Sequence, residues 1–249
     1  MNNSEILNAK NLNNDESIAL VNLISNLSHD LRNPMSNIFN LSYLLRRELL
    51  NPTQITLIEG IESASDEIQM LLTLLLDFSK LNYRGLPACS EKFAISELIV
   101  QIVNEYKSLA YSKNIILAYV KQKKDLNNIF ADKSYLYKLL QNILGLMVYS
   151  SKYSQITLDE NITQLSEYCS VNFEILFQGS VEENQKLIQY FSEQINQAQF
   201  IAVPKSQIDL RLCLCSTFIN LLKAQIDVCK VNQKTSQFII TIPLTPAGV

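Results

Sequence analysis

A chain of 249 residues with 47% hydrophobic and 18% charged side chains has apolar material enough for one large domain or two small ones. Its formal net charge of −3 gives no general pull toward nucleic acid or anionic lipid, and its five glycines lie too far apart to form a glycine-rich loop around a phosphate. Five cysteines without the spacing of a small secreted domain point to reduced thiols, and the longest apolar stretch, Met70 to Leu76, is too short for a bilayer, so a cytoplasmic location without membrane association is expected.

In chain order, residues 1–14 are polar and asparagine-rich and are expected to be a flexible N-terminus; they carry neither the basic segment nor the apolar run of a secretory leader. Asn14 or Asp15 can cap a helix running to about Leu50. Its apolar positions, Leu20, Ile24, Leu27, Leu31, Pro34, Ile38, Leu41 and Leu45, alternate steps of four and three, a heptad seam that requires a partner helix. With Ile24 as position a, the chain's single histidine, His29, falls at the outward position f. Asn51-Pro52-Thr53-Gln54 has the chemistry of a helix start, with a capping asparagine, proline at the first helical position and glutamine where a capping box needs it. The second helix has its own stripe, Leu57, Ile61, Ala64, Ile68, Leu71, Leu75 and Phe78. Two antiparallel helices cannot bury two such stripes alone, so residues 15–83 are expected to be a helical hairpin that forms a dimeric four-helix bundle.

Residues 84–91, around Arg84-Gly85-Leu86-Pro87, read as a linker, and 92–249 as a second domain. Helical patterns cover Ala94–Tyr111, Lys133–Tyr149, Val181–Ile195 and Asp209–Leu222, and strand-like runs cover Ile115–Val120, Asn128–Phe130, Gln155–Leu158, Ser170–Phe177, Gln225–Val231 and Phe238–Pro243. The expected fold class is α+β, the hairpin being followed by an α/β sandwich with helices on one face of the sheet. Cys213 and Cys215 lack the further ligands of a metal site and read as core, and the run Lys121-Gln122-Lys123-Lys124 reads as a solvated loop.

The chemistry concentrates at Ser28-His29-Asp30-Leu31-Arg32-Asn33-Pro34. A neutral imidazole nitrogen is nucleophilic near neutral pH, and the partner of one ring nitrogen decides which nitrogen reacts. Arg32 and Asn33, at i+3 and i+4, share the His29 face, and Pro34 removes the backbone donor to the Asp30 carbonyl and favours a bend beside the histidine.

This heptapeptide resembles the phosphoacceptor H-box of bacterial sensor histidine kinases, and residues 15–83, ending in Leu75-Leu76-Asp77-Phe78-Ser79-Lys80-Leu81, resemble that family's dimerisation hairpin. The resemblance implies that His29 is the phosphoacceptor, that Asp30 orients its imidazole, that Asn33 positions water for dephosphorylating a partner aspartate, and that Arg32 supports the site. The second domain resembles the family's ATP-binding domain in layout but not in its motifs. Asp132 to Ser151 covers the N-box segment, where Asn142 matches the first asparagine and Leu146 replaces the magnesium ligand. Phe177-Gln178-Gly179-Ser180-Val181 stands where Asp-x-Gly-x-Gly would contact adenine, and Tyr190-Phe191 can keep a phenylalanine box. Asp209-Leu210-Arg211-Leu212-Cys213-Leu214 replaces the second glycine box, and a side chain there blocks close approach of backbone to phosphate.

The implied function is histidine phosphotransfer in a two-component phosphorelay, with His29 carrying a phosphoryl group between receiver-domain aspartates and with little or no use of ATP. The expected partners are response-regulator receiver domains, an upstream hybrid histidine kinase and a second copy of the chain. No cofactor of its own is expected; Mg2+ would come with the receiver. Two alternatives stand beside it: an active cytoplasmic sensor kinase with a divergent ATP site, and a non-catalytic pseudokinase scaffold.

Overall fold

A computed structural model describes residues 3–83, 89–120, 128–149, 153–164, 169–179, 189 and 206–244. The chain divides into two compact units, Met1–Leu86 and Pro87–Val249.

The first unit is a hairpin of α1 (Asn3–Leu45) and α2 (Pro52–Tyr83). Helix α1 begins well before the expected cap at Asn14 or Asp15, so 3–14 are part of the helix. No glycine or proline interrupts the sequence before Pro34, and an established helix propagates through residues that would cap an isolated one. It also stops short of Leu50. Arg46 N–H still reaches Ser42 C=O at 3.1 Å, but Arg47 and Glu48 donate to Leu44 and Leu45 at 3.0 Å, the tightened i to i−3 pattern of a final turn. Pro52 disfavours helical backbone at Asn51, which separates the helices. Helix α2 then opens on a complete capping box: Gln54 N–H donates to Asn51 Oδ1, and Asn51 N–H donates to Gln54 Oε1, both at 2.9 Å. Asn51→Ala removes the first of these and is expected to cost about 1 kcal/mol of stability, measurable by thermal or urea unfolding.

The seam between the two helices is not the leucine stripe. Helix α1 buries Ser28, Met35 and Ser42, and α2 buries the row Ile58, Ser65, Leu72 and Ser79, each row repeating every seven residues, with Leu74 and Asp77 of α2 buried besides. Small hydroxyl side chains let the backbones approach, and Ser42 and Ser65 return their hydroxyls to the i−4 carbonyls, Ile38 at 3.0 Å and Ile61 at 2.8 Å. Near the hairpin tip Arg46 binds Glu62 through Nε at 3.0 Å and Nη2 at 2.7 Å. The expected stripe therefore faces away from α2, with Leu27, Leu31 and Leu41 at 51%, 47% and 61% exposure.

The second unit is built from β1 (Ser90–Ala94), α3 (Ile95–Ser112), β2 (Ile116–Val120), β3 (Asn128–Asp132), α4 (Lys133–Tyr149), β4 (Tyr153–Gln164), β5 (Cys169–Gly179), α5 (Gln207–Leu222), β6 (Gln225–Lys230) and β7 (Thr235–Leu244). Five strands form one sheet in the order β2-β4-β5-β7-β6, parallel only between β2 and β4. Strict alternation buries one sheet face: Ile156 and Leu158 of β4, Val171, Phe173, Ile175 and Phe177 of β5, and Phe238, Ile240 and Ile242 of β7. Phe177 stacks on Phe238 with centroids 5.1 Å apart. Ile99 and Ile102 of α3, Leu136, Leu139 and Ile143 of α4, and Phe218 of α5 are also fully buried. Helix α3 packs on β2 and α4, and α4 packs on α5.

Strand β1 pairs with β3 as a separate antiparallel ribbon and has no signature in the sequence. Asp132 closes that ribbon onto α4: one carboxylate oxygen accepts from Cys89 N–H at 2.7 Å and the other from Tyr135 N–H at 2.9 Å, capping the helix. The expected helix Val181–Ile195 (apart from Gln189), the phenylalanine box at Tyr190-Phe191 and the lysine run 121–124 lie outside the described residues. Among the described residues no helix is long and apolar enough to cross a membrane.

Candidate phosphoacceptor site and the second unit

His29 occupies the middle of α1. Its predecessor Ser28 is buried in the hairpin seam, and a 100° step along the helix carries His29 out to solvent, where 71% of its side chain is exposed. The outward position expected from the heptad is the one observed. Asp30, 76% exposed, sets its Oδ1 3.4 Å from His29 Nδ1, a long contact between sequence neighbours. When Nδ1 carries the proton it donates toward this carboxylate, and the Nε2 lone pair is left facing solvent. Arg32 and Asn33 are exposed one turn further on, and α1 continues through Pro34. The structure thus brings Asp30 to the imidazole and leaves Arg32 and Asn33 open on the adjoining surface.

Among the described residues, those at the ATP-domain motif positions do not fit a bound magnesium nucleotide. Leu146, at the metal-ligand position, is 2% exposed in the core of α4 and offers no oxygen. Asn142 is equally buried, and its amide Nδ2 donates to Lys138 C=O at 2.7 Å, turned back on its own helix. Phe177 is buried against Phe238. The start of α5, where a helix N-terminus could receive an anion, carries its own cap and its own negative charge: Ser206 Oγ accepts from Asp209 N–H at 3.1 Å, and Asp209 lies in the first turn.

Arg211, on α5, is the residue whose role the sequence did not reveal. It is among the largest fully buried side chains, and Gly145 of α4 lies directly beneath its guanidinium. Arginine is almost never fully buried, and the only trace of this arrangement in the sequence is a glycine inside an otherwise bulky helix.

Residues 19–84 match the His Kinase A (phospho-acceptor) domain. The chain is 34% identical over 125 residues to the hybrid signal transduction protein dokA of Dictyostelium discoideum, a match covering 49% of this chain and 7% of dokA. It is 21% identical over 229 residues to the autoinducer 2 sensor kinase/phosphatase LuxQ of Vibrio harveyi, covering 91% of this chain and 26% of LuxQ. The chain therefore spans only a minor part of these curated relatives. In fold it is similar to full-length ShkA, crystallised with AMPPNP, at a TM-score of 0.58 and 18% identity, covering 92% of this chain and 47% of ShkA. It is also similar to the Acinetobacter baumannii histidine kinase AdeS, at a TM-score of 0.50 and 13% identity, over 87% of this chain and 98% of AdeS.

Proposed function

We propose that this chain, whose residues 19–84 match the His Kinase A (phospho-acceptor) domain, is a phosphotransfer protein in which His29 exchanges a phosphoryl group with receiver-domain aspartates, with little or no use of ATP. The observation that carries this reading is a contrast. The acceptor imidazole stands open beside Asp30, whereas Leu146, at the position of the expected metal ligand, is packed in the core.

In the transfer, His29 Nε2 attacks the phosphorus of a receiver aspartyl phosphate. The N–P bond forms as the P–O bond breaks, and the aspartate leaves as its carboxylate. Nδ1–H stays directed at Asp30, whose negative charge offsets the positive charge the ring acquires. The return step runs the same exchange backwards, so one surface serves donor and recipient. Mg2+ held by the receiver would neutralise the phosphoryl oxygens. An upstream hybrid kinase would supply the first phosphoryl group, and a second copy of the chain would complete the bundle.

Asn33 is proposed to position a water against a receiver phosphate. Asn33→Ala should then slow receiver dephosphorylation by about tenfold or more while leaving transfer to His29 nearly unchanged, read by following both phosphospecies in one time course. The reading as a whole is tested by incubating the chain with a receiver labelled on its aspartate and, separately, with γ-labelled Mg-ATP. Label is expected from the receiver; label arriving only from ATP would favour the autokinase alternative and overturn this one.

A further inference from the structure

We propose that Arg211 is a built-in occupant of the space between α4 and α5, locking the second unit in one conformation whether or not nucleotide is present. The side chain is 1% exposed, and its contacts reach two helices besides its own. Its Nη1 donates to the Tyr106 hydroxyl of α3 at 3.3 Å. That hydroxyl donates in turn to the Gln141 carbonyl of α4 at 2.9 Å. The guanidinium carbon lies 4.9 Å from the ring centroid of Tyr149, at the end of α4, and the same ring takes Lys113 Nζ at 5.0 Å. Beneath the guanidinium is Gly145, where an added Cβ would collide with Arg211 Nη1 and stand 2.6 Å from Cζ and 2.7 Å from the Tyr106 hydroxyl. Glycine at this position is a slot shaped for the guanidinium, and the two residues are a matched pair.

A buried cation persists only where acceptors and aromatic faces replace its water, which the phenol oxygen, accepting from Nη1, and the Tyr149 ring do here. The result is that α3, α4 and α5 are tied through one side chain rooted in the helix. A positive charge at that place also repels a divalent cation, which agrees with the loss of the metal ligand at Leu146. The lock does not depend on the role of His29; a chain that failed to accept phosphoryl groups would still possess it.

The test is a double-mutant cycle on the full chain, read by thermal unfolding with and without millimolar Mg-ATP. Gly145→Ala alone is expected to lower Tm by about 4 °C or more, because the methyl overpacks the slot. In the Arg211→Ala background the guanidinium no longer meets the methyl and only the Tyr106 hydroxyl, 2.7 Å away, still crowds it, so Gly145→Ala is expected to lower Tm by clearly less than in the wild type. The coupling between the two substitutions is expected to be the same with and without Mg-ATP. An equal cost of Gly145→Ala in both backgrounds, or a coupling between the two sites that disappears with Mg-ATP, would overturn the proposal. If Arg211→Ala does not fold, Arg211→Met keeps the stem's packing without the guanidinium and carries the same cycle.

Discussion

His29→Ala is expected to abolish phosphoryl acceptance from a phosphorylated receiver, a loss of at least about a thousandfold, because the covalent intermediate forms on its imidazole. It is the chain's single histidine. Its side chain is exposed, so alanine removes the chemistry without disturbing the hairpin, and Tm should move by little. Transfer is followed as label lost from the receiver and gained by the chain. Asp30→Asn separates the two parts of the mechanism. It keeps a group near Nδ1 but not the negative charge, so the rate of transfer should fall while acceptance survives. A His29→Ala protein that still took label would show that the acceptor is another residue.

The second large effect concerns the leucine stripe. Leu27, Leu31 and Leu41 lie on the side of α1 turned away from α2, and Leu57, Ile61, Ile68 and Leu75 line an exposed stripe on α2. We expect a second copy to cover these stripes as a four-helix bundle, each buried leucine contributing about 1.5–3 kcal/mol. Leu31→Asp would place one carboxylate from each copy in that contact. The combined loss of apolar burial and cost of burying charge should weaken the dimer by about a thousandfold or more. Sedimentation at micromolar concentration reads this directly. A wild-type chain that sediments as a monomer, or a Leu31→Asp variant as dimeric as the wild type, would contradict the expected bundle.

How much of this was legible in the sequence depends on whether the signal is local. The start of α2 was, because a capping box is four residues of local chemistry, and Asn51 and Gln54 make the reciprocal bonds their types suggest. Helix α4 runs from Lys133 to Tyr149 as its periodicity indicates. The exposed position of His29 followed from the heptad as well. What was not legible is decided by partners distant in sequence. The heptad pattern names only the leucine stripe of α1; the Ser28-Met35-Ser42 row beside it recurs at the same seven-residue spacing, and periodicity alone does not tell which one α2 takes. The structure assigns α2 the serine row, where close approach is possible, and leaves the leucines outward. Strand β1, Ser-Glu-Lys-Phe-Ala, is a strand because β3 pairs with it across a separation of dozens of residues. Strand β4 runs past its expected end at Leu158 into acidic residues, and the buried Glu160 there is held by the Tyr119 hydroxyl at 2.5 Å. Arg211 was read as an obstacle to phosphate; its burial over Gly145 became visible only when α4 and α5 were brought together.

The source of the phosphoryl group on His29 is the central claim, and a 31P NMR spectrum of the full chain tests it most directly. After incubation with a phosphorylated receiver domain, a single acid-labile phosphoramidate resonance is predicted, absent from His29→Ala and absent after incubation with Mg-ATP alone. The same resonance appearing with Mg-ATP and no receiver would contradict the account, because the chain would then be its own kinase.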